Sequence, residues 1–175
     1  MLEPLLVVPI LLDVPEAALD AMRATVAREL SLASAVSPPR FDPEEGFDPR
    51  RGQYRSRTLL QRLLAQAPAP TRVLGVTSLD LFIPVLTYVF GEAELGGRAA
   101  VVSTYRLRPE RYGLPESPET LLGRLERESV HELGHTLGLL HCASPRCVMH
   151  ASTYAEEIDL KGVGLCGRCR GSLRP

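Results

Sequence analysis

His131 and His135 stand four residues apart with Glu132 between them, and His141 follows six residues later. The full string is His131-Glu132-Leu133-Gly134-His135-Thr136-Leu137-Gly138-Leu139-Leu140-His141. Side chains four apart on a helix lie one above the other, so two imidazoles can reach one metal ion. A glycine behind them permits a sharp turn that returns a third imidazole to the same metal. Three neutral histidines leave the fourth tetrahedral position of a zinc ion for water. Zinc lowers the pKa of such a water to about 7. Glu132 would then act as general base, taking its proton and passing it to a leaving amine. A bare pair of histidines around a glutamate arises by chance. Gly138 and His141 at these offsets, with three of the chain's four histidines in one string, make chance a poor account.

All four cysteines follow directly: Cys142, Cys147, Cys166 and Cys169. Two pairs, with four and two residues between their members, suit a tetrahedral four-thiolate zinc site. Disulfides would allow three connectivities but need an oxidising compartment. An iron–sulfur site is also chemically open. Because Cys142 follows His141 without a gap, a metal held by the thiols would also fix the path of the third histidine.

The histidine string matches the metzincin pattern of zinc peptidases. Its continuation into Cys142, Cys147, a methionine two residues on, and a final Cys-x-x-Cys resembles the archaemetzincins, small metzincins with a second, four-cysteine zinc site. The motifs cover residues 129–169; earlier segments agree more loosely. The interval from Met149 to Cys166 is slightly short for the family, which bears only on the shape of a loop. The resemblance implies an α/β (α+β) domain with a mixed twisted sheet, an antiparallel edge strand within residues 86–92, a long active-site helix and a zinc-stapled C-terminal segment. It implies two Zn2+, one catalytic and one structural, and Met149 as the Met-turn residue beneath the catalytic metal. It implies zinc-dependent hydrolysis of peptide bonds, in short peptides or at N-termini. Of the remaining candidates, Tyr154 reads first as a packed tyrosine and second as a hydroxyl that could steady an oxyanion. His150 reads as a surface or loop histidine, and Arg168, Arg170 and Arg174 as a solvated tail.

A long helix must carry the histidines. It starts at Ser117-Pro118-Glu119, where serine suits the N-cap, proline the first turn and an acid the positive end. Leu122, Leu133 and Leu137 share a face nearly opposite His131 and His135, and Gly138 is placed to end the helix in a left-handed conformation. Upstream, residues 5–12 predict a buried strand, and Pro15 the first position of a helix reaching about Leu32. Residues 37–51, rich in Pro, Asp and Gly, read as a surface excursion, with a short strand near Phe41. A second helix is predicted over residues 54–67, and strands over 72–77, over 82–90 at an edge because of Pro84, and over 99–107.

The 175 residues suggest one domain, 1–175, in which residues 1–138 end in the metal-binding helix and residues 139–175 carry the Met-turn and the cysteines. A net charge of −1 gives no support for nucleic acid or an anionic membrane as partner. No run is long enough to span a bilayer, and residues 5–12 lack a basic n-region. The expectation is a cytoplasmic monomer acting on a peptide or protein substrate. Lys161, the sole lysine, reads as compositional bias. Two other classes stand beside hydrolysis. A non-catalytic zinc-containing peptide-binding or regulatory protein is disfavoured by Glu132 and the open metal position. A nucleic-acid-binding zinc ribbon is disfavoured by the charge balance.

Overall fold

Residues near the N-terminus alternate aliphatic side chains toward both faces, so the strand they form must be covered twice. The computed structural model, which describes residues 3–173, places this strand, β1 (Glu3–Ile10), within a five-stranded sheet. Helix α1 (Glu16–Leu30) leads back to β2 (Leu32–Val36), which pairs in parallel with β1. The sequence signal for β2 was hidden because the strand is short and mostly exposed. Pro15 is the N-cap of α1 and not its first residue.

The excursion after β2 holds no strand at Phe41. A short 3-10 turn (Pro43–Gly46) leads to β3 (Phe47–Asp48) and β4 (Gln53–Arg55), and α2 (Ser56–Gln66) follows. Next come β5 (Arg72–Thr77) and β6 (Leu81–Phe82); β6 joins β3 and β4 in a second small sheet. Residues 82–90 are not one strand. The chain turns at Pro84, which has no N–H to give a ladder, and only Val89 returns to pair, with Leu81. β7 (Gly91–Ala93) and β8 (Ala99–Ser103) complete the main sheet in the order β2-β1-β5-β8-β7. Pairing is parallel throughout except for β7, which runs antiparallel to β8 at the edge.

Alternation along the strands sorts the core into two layers. Leu5, Val7, Leu74, Val76, Ala100 and Val102 face α1 and the long helix α3 (Pro118–Thr136). Val8, Ile10, Val73, Ala99 and Val101 face α2, with Leu59, Leu60 and Leu63. Ser117 caps α3 by accepting from the Thr120 N–H at 3.2 Å, and Gly138 takes a φ of 88° just beyond its end. α3 is covered on more sides than a single leucine stripe predicts. Leu125, Val130 and Leu133 are buried, whereas Leu122 and Leu137 are half-buried.

Two ion pairs seat the C-terminal segment on α3. Arg124 donates two hydrogen bonds to Asp159 at 2.9 and 2.6 Å, and Lys161 donates to Glu128 at 3.2 Å. Asp159 lies in α4 (Ala155–Leu160), and α5 (Gly167–Ser172) ends the described chain. Met149, Ile158 and Cys169 pack in the same cluster as Leu5 and Val130, so residues on both sides of position 138 share one core.

Candidate metal centres and cleft

His131 and His135 leave the last two turns of α3 on one side, and the turn at Gly138 carries His141 back toward them. One ligand nitrogen from each of the three imidazoles lies within 4.8 Å of the others, and the Nε2 atoms of His131 and His135 are 3.1 Å apart. Two nitrogens bound tetrahedrally at ~2.05 Å would be about 3.3 Å apart. Backbone carbonyls orient the rings: Nδ1 of His131 donates to Val148 O at 2.8 Å, and Nδ1 of His135 to Leu139 O at 2.7 Å. This tautomer leaves each Nε2 lone pair facing the common centre, the arrangement that outer-shell bonds give to histidine ligands. Burial pushes the pKa of His131 down to about 3 and lowers that of His135, so both rings are neutral and available as donors. The donor set therefore fits zinc.

Glu132 is buried and points to the same cleft. Desolvation, together with Glu128 and Glu92 nearby, pushes its carboxyl well above 4.5. A Cβ on Gly91 would lie 2.7 Å from Glu132 Cγ and 2.6 Å from Val101 O, so glycine is what lets edge strand β7 approach the acid. A Cβ on Gly134 would lie 2.4 Å from Met149 Sδ, which places Met149 directly against the helix between the two histidines. Neither contact has a sequence signal of its own; each glycine's value depends on a neighbour distant in sequence.

Cys142, Cys147, Cys166 and Cys169 also converge, with the four sulfurs within 4.8 Å of one another. The sulfurs of Cys142 and Cys166 are 3.8 Å apart, close to the ~3.8 Å between two sulfurs bound tetrahedrally at ~2.3 Å. That separation is far beyond a disulfide bond. A hydrogen bond from Ser144 N–H, helped by the Arg168 guanidinium, brings the Cys142 thiol down to about 6. Burial pushes Cys147 and Cys169 upward. Four sulfurs so enclosed suit a divalent cation, whose charge would hold all four as thiolates. Arg168 and Arg170 are exposed, as a solvated tail requires, but each is tethered: Arg168 donates to Cys142 Sγ at 3.3 Å, and Arg170 pairs with Glu29 at 3.1 Å. Arg174 lies outside the described residues.

The histidine cluster opens on a cavity of about 490 Å³. Residues 86–91 form one wall, residues 151–154 the other, and Glu128, His131, Glu132 and His141 lie between. Tyr154 is not packed in the core: it lies on the second wall, 62% exposed. His150 is half-buried, with Nδ1 donating to Cys142 O at 2.8 Å. The first wall is tied down by the end of the excursion and the strand that follows it. Arg51 donates to Leu86 O at 2.7 Å and Thr87 O at 3.0 Å, and Gln53 donates to Thr87 O at 2.9 Å and to Asp80 at 3.1 Å. These side chains replace the ladder that Pro84 interrupts, a role that composition alone could not reveal. Lys161, read as compositional bias, is buried beside the cleft.

Known proteins are similar to this one in architecture and in sequence. The model of peptidase family M54 matches residues 50–175. An archaemetzincin of Methanocaldococcus jannaschii is 42% identical over 137 residues, covering 78% of this chain and 75% of that protein. The crystal structure of archaemetzincin from Methanopyrus kandleri superposes with a TM-score of 0.87 at 37% identity, covering 98% of this chain and 93% of that one. A zinc-dependent peptidase from Methanocorpusculum labreanum superposes with a TM-score of 0.86 at 30% identity, covering 97% and 100%.

Proposed function

Because the chain belongs to peptidase family M54, the family of archaemetzincins, and is a zinc metallopeptidase, we propose that His131, His135 and His141 hold the catalytic zinc and that Glu132 is the general base. The observation that supports this most is the convergence of three imidazoles, two of them oriented by backbone carbonyls, with a buried carboxylate beside an open sheet edge. Zinc bound there supplies a Lewis acid that polarises the substrate carbonyl and acidifies the attacking water. Glu132 takes the proton of that water on its carboxylate and delivers it to the nitrogen of the departing amine. Met149 sits under the ligands and keeps their floor apolar.

β7 positions the substrate. It pairs with β8 on one side, where the Ser103 N–H donates to Phe90 O and the Glu94 N–H to Ala99 O. In an antiparallel ladder the intervening residues turn their amide groups the other way, so Gly91 and Ala93 offer theirs to an extended peptide. The substrate class is short peptides or the N-terminal portions of longer ones. The four cysteines hold a second, structural zinc, and residues 1–175 act as one catalytic unit and as a monomer. Four cysteines placed to hold a metal fit a reducing, cytoplasmic setting. Among the described residues, no helix is long and apolar enough to cross a membrane.

Two ligand sets with no shared residue predict two zinc ions per chain. Elemental analysis of protein purified without added metal tests this; one zinc, with the cysteines oxidised in pairs, would sink the two-site assignment. Peptide-library hydrolysis is expected in the purified enzyme and is expected to disappear when a chelator removes the histidine-bound metal. Turnover that survives complete loss of that metal would refute the mechanism.

A further inference from the structure

The cleft holds one strongly polar group that hydrolysis does not use. Glu128 lies on α3 one helical turn before Glu132, so both carboxylates share a face, ~6 Å apart along the axis. Its residue is 4% exposed, yet it contributes to the cleft surface. One oxygen, Oε1, accepts from Lys161 Nζ at 3.2 Å. No described group donates to Oε2, and Oε2 is not among the solvent-sealed polar atoms left without a partner. Lys161 also donates to His150 O at 3.0 Å, and its side chain is 1% exposed. The ammonium is thus enclosed, while the second carboxylate oxygen, free of any described donor, belongs to a side chain that lines the cavity.

A buried ion pair can be purely structural, since removing either partner leaves an uncompensated charge. Three features make this pair more than that. It is one-sided, showing the cleft an acceptor and no donor. It stands one turn from the group that would handle the proton, within reach of a side chain next to the scissile bond. The facing wall carries Leu86, Val89 and Phe90, apolar surface suited to an alkyl stem. We propose that Glu128, held by Lys161, forms a subsite for a protonated amine of the substrate, delivered by a lysine side chain next to the cleaved bond. This assignment rests on the peptidase reading for the carrier of the amine, though not for the existence of the cation site.

The test compares N-acetylated peptides that differ only in lysine or norleucine next to the scissile bond, with a free-N-terminus norleucine peptide as a further arm. Turnover is read on the parent enzyme. Binding is read by calorimetry on zinc-loaded Glu132→Gln protein, with n-butylammonium and n-butanol as small probes. The variants are Glu128→Gln, Lys161→Met and the double variant, which removes both charges together and guards against a folding defect in either single one. A charge-assisted hydrogen bond predicts a lysine preference of about tenfold or more in the parent. The preference should vanish in Glu128→Gln and in the double variant, and should grow in Lys161→Met, where the carboxylate loses its internal partner. If the free N-terminus carries the preference and Glu128→Gln abolishes it, the same subsite takes the α-ammonium. A purely structural pair would lower Tm in the single variants and leave the lysine-to-norleucine ratio unchanged. Equal binding of both peptides, together with equal binding of butylammonium and butanol, overturns the proposal. An absence of turnover with selective binding retained would instead count against the peptidase reading alone.

Discussion

Glu132→Gln is expected to reduce peptide hydrolysis by roughly 10²–10⁴-fold, the range that a positioned general base contributes, while zinc content and Tm stay close to those of the parent. The glutamine preserves the size and polarity of the side chain against Gly91 and removes only the proton acceptor. Burial and the nearby carboxylates of Glu128 and Glu92 already raise the proton affinity of Glu132, and its amide replacement carries no charge for that environment to oppose. The contrasting change is His135→Ala. It deletes one of three converging imidazoles, so the catalytic zinc should be lost along with activity, while the cysteine-bound zinc remains. Elemental analysis and turnover of one verified peptide, measured on both variants, separate the base from the ligands. Parental turnover by Glu132→Gln would remove Glu132 from the chemistry.

Cys166→Ser is expected to release one zinc and to lower thermal stability strongly. Zinc at closed four-ligand sites contributes on the order of 10 kcal/mol or more to folding in small domains. In a chain of this length each kcal/mol lost lowers Tm by about 2–4 °C, so losing even a third of that contribution predicts a drop on the order of 10 °C. The thiols join two stretches of chain, the turn after His141 and the start of α5, so the damage should reach the catalytic ligands. His141 precedes Cys142 directly, and Val148, whose carbonyl accepts from the His131 ring, follows Cys147. Weaker retention of the remaining zinc should therefore accompany the fall in Tm. A variant that melts like the parent and keeps both metals would show that the thiols bind no structural ion.

The convergence of the histidines and of the cysteines was legible in the sequence because its geometry is local. Four-residue spacing on a helix and a glycine turn dictate how His131, His135 and His141 can meet, and Cys142 is joined to that turn by one peptide bond. The strand over residues 72–77 and the cap at Ser117 were legible for the same reason: each depends on a few neighbouring residues. The fold class followed from the family resemblance that these motifs carry.

What surrounds the motifs was decided by contacts between residues far apart in the chain. Gly91 and Gly134 are ordinary glycines until Glu132 and Met149 arrive against them. Arg51 ends what composition marks only as a surface excursion and Gln53 lies just beyond it, and the two become the braces of a cleft wall because Pro84 denies that wall a continuous ladder. Tyr154, read first as a packed tyrosine, stands exposed on the opposite wall. Lys161 gives no local signal at all: its ammonium gains a role only when packing encloses it between Glu128 and the His150 carbonyl. Sequence spacing therefore specified which histidines and cysteines covalent geometry brings together. Tertiary packing alone decided which unremarkable side chains shape the cleft, because desolvation, steric approach and charge pairing act through space and leave no periodic trace along the chain.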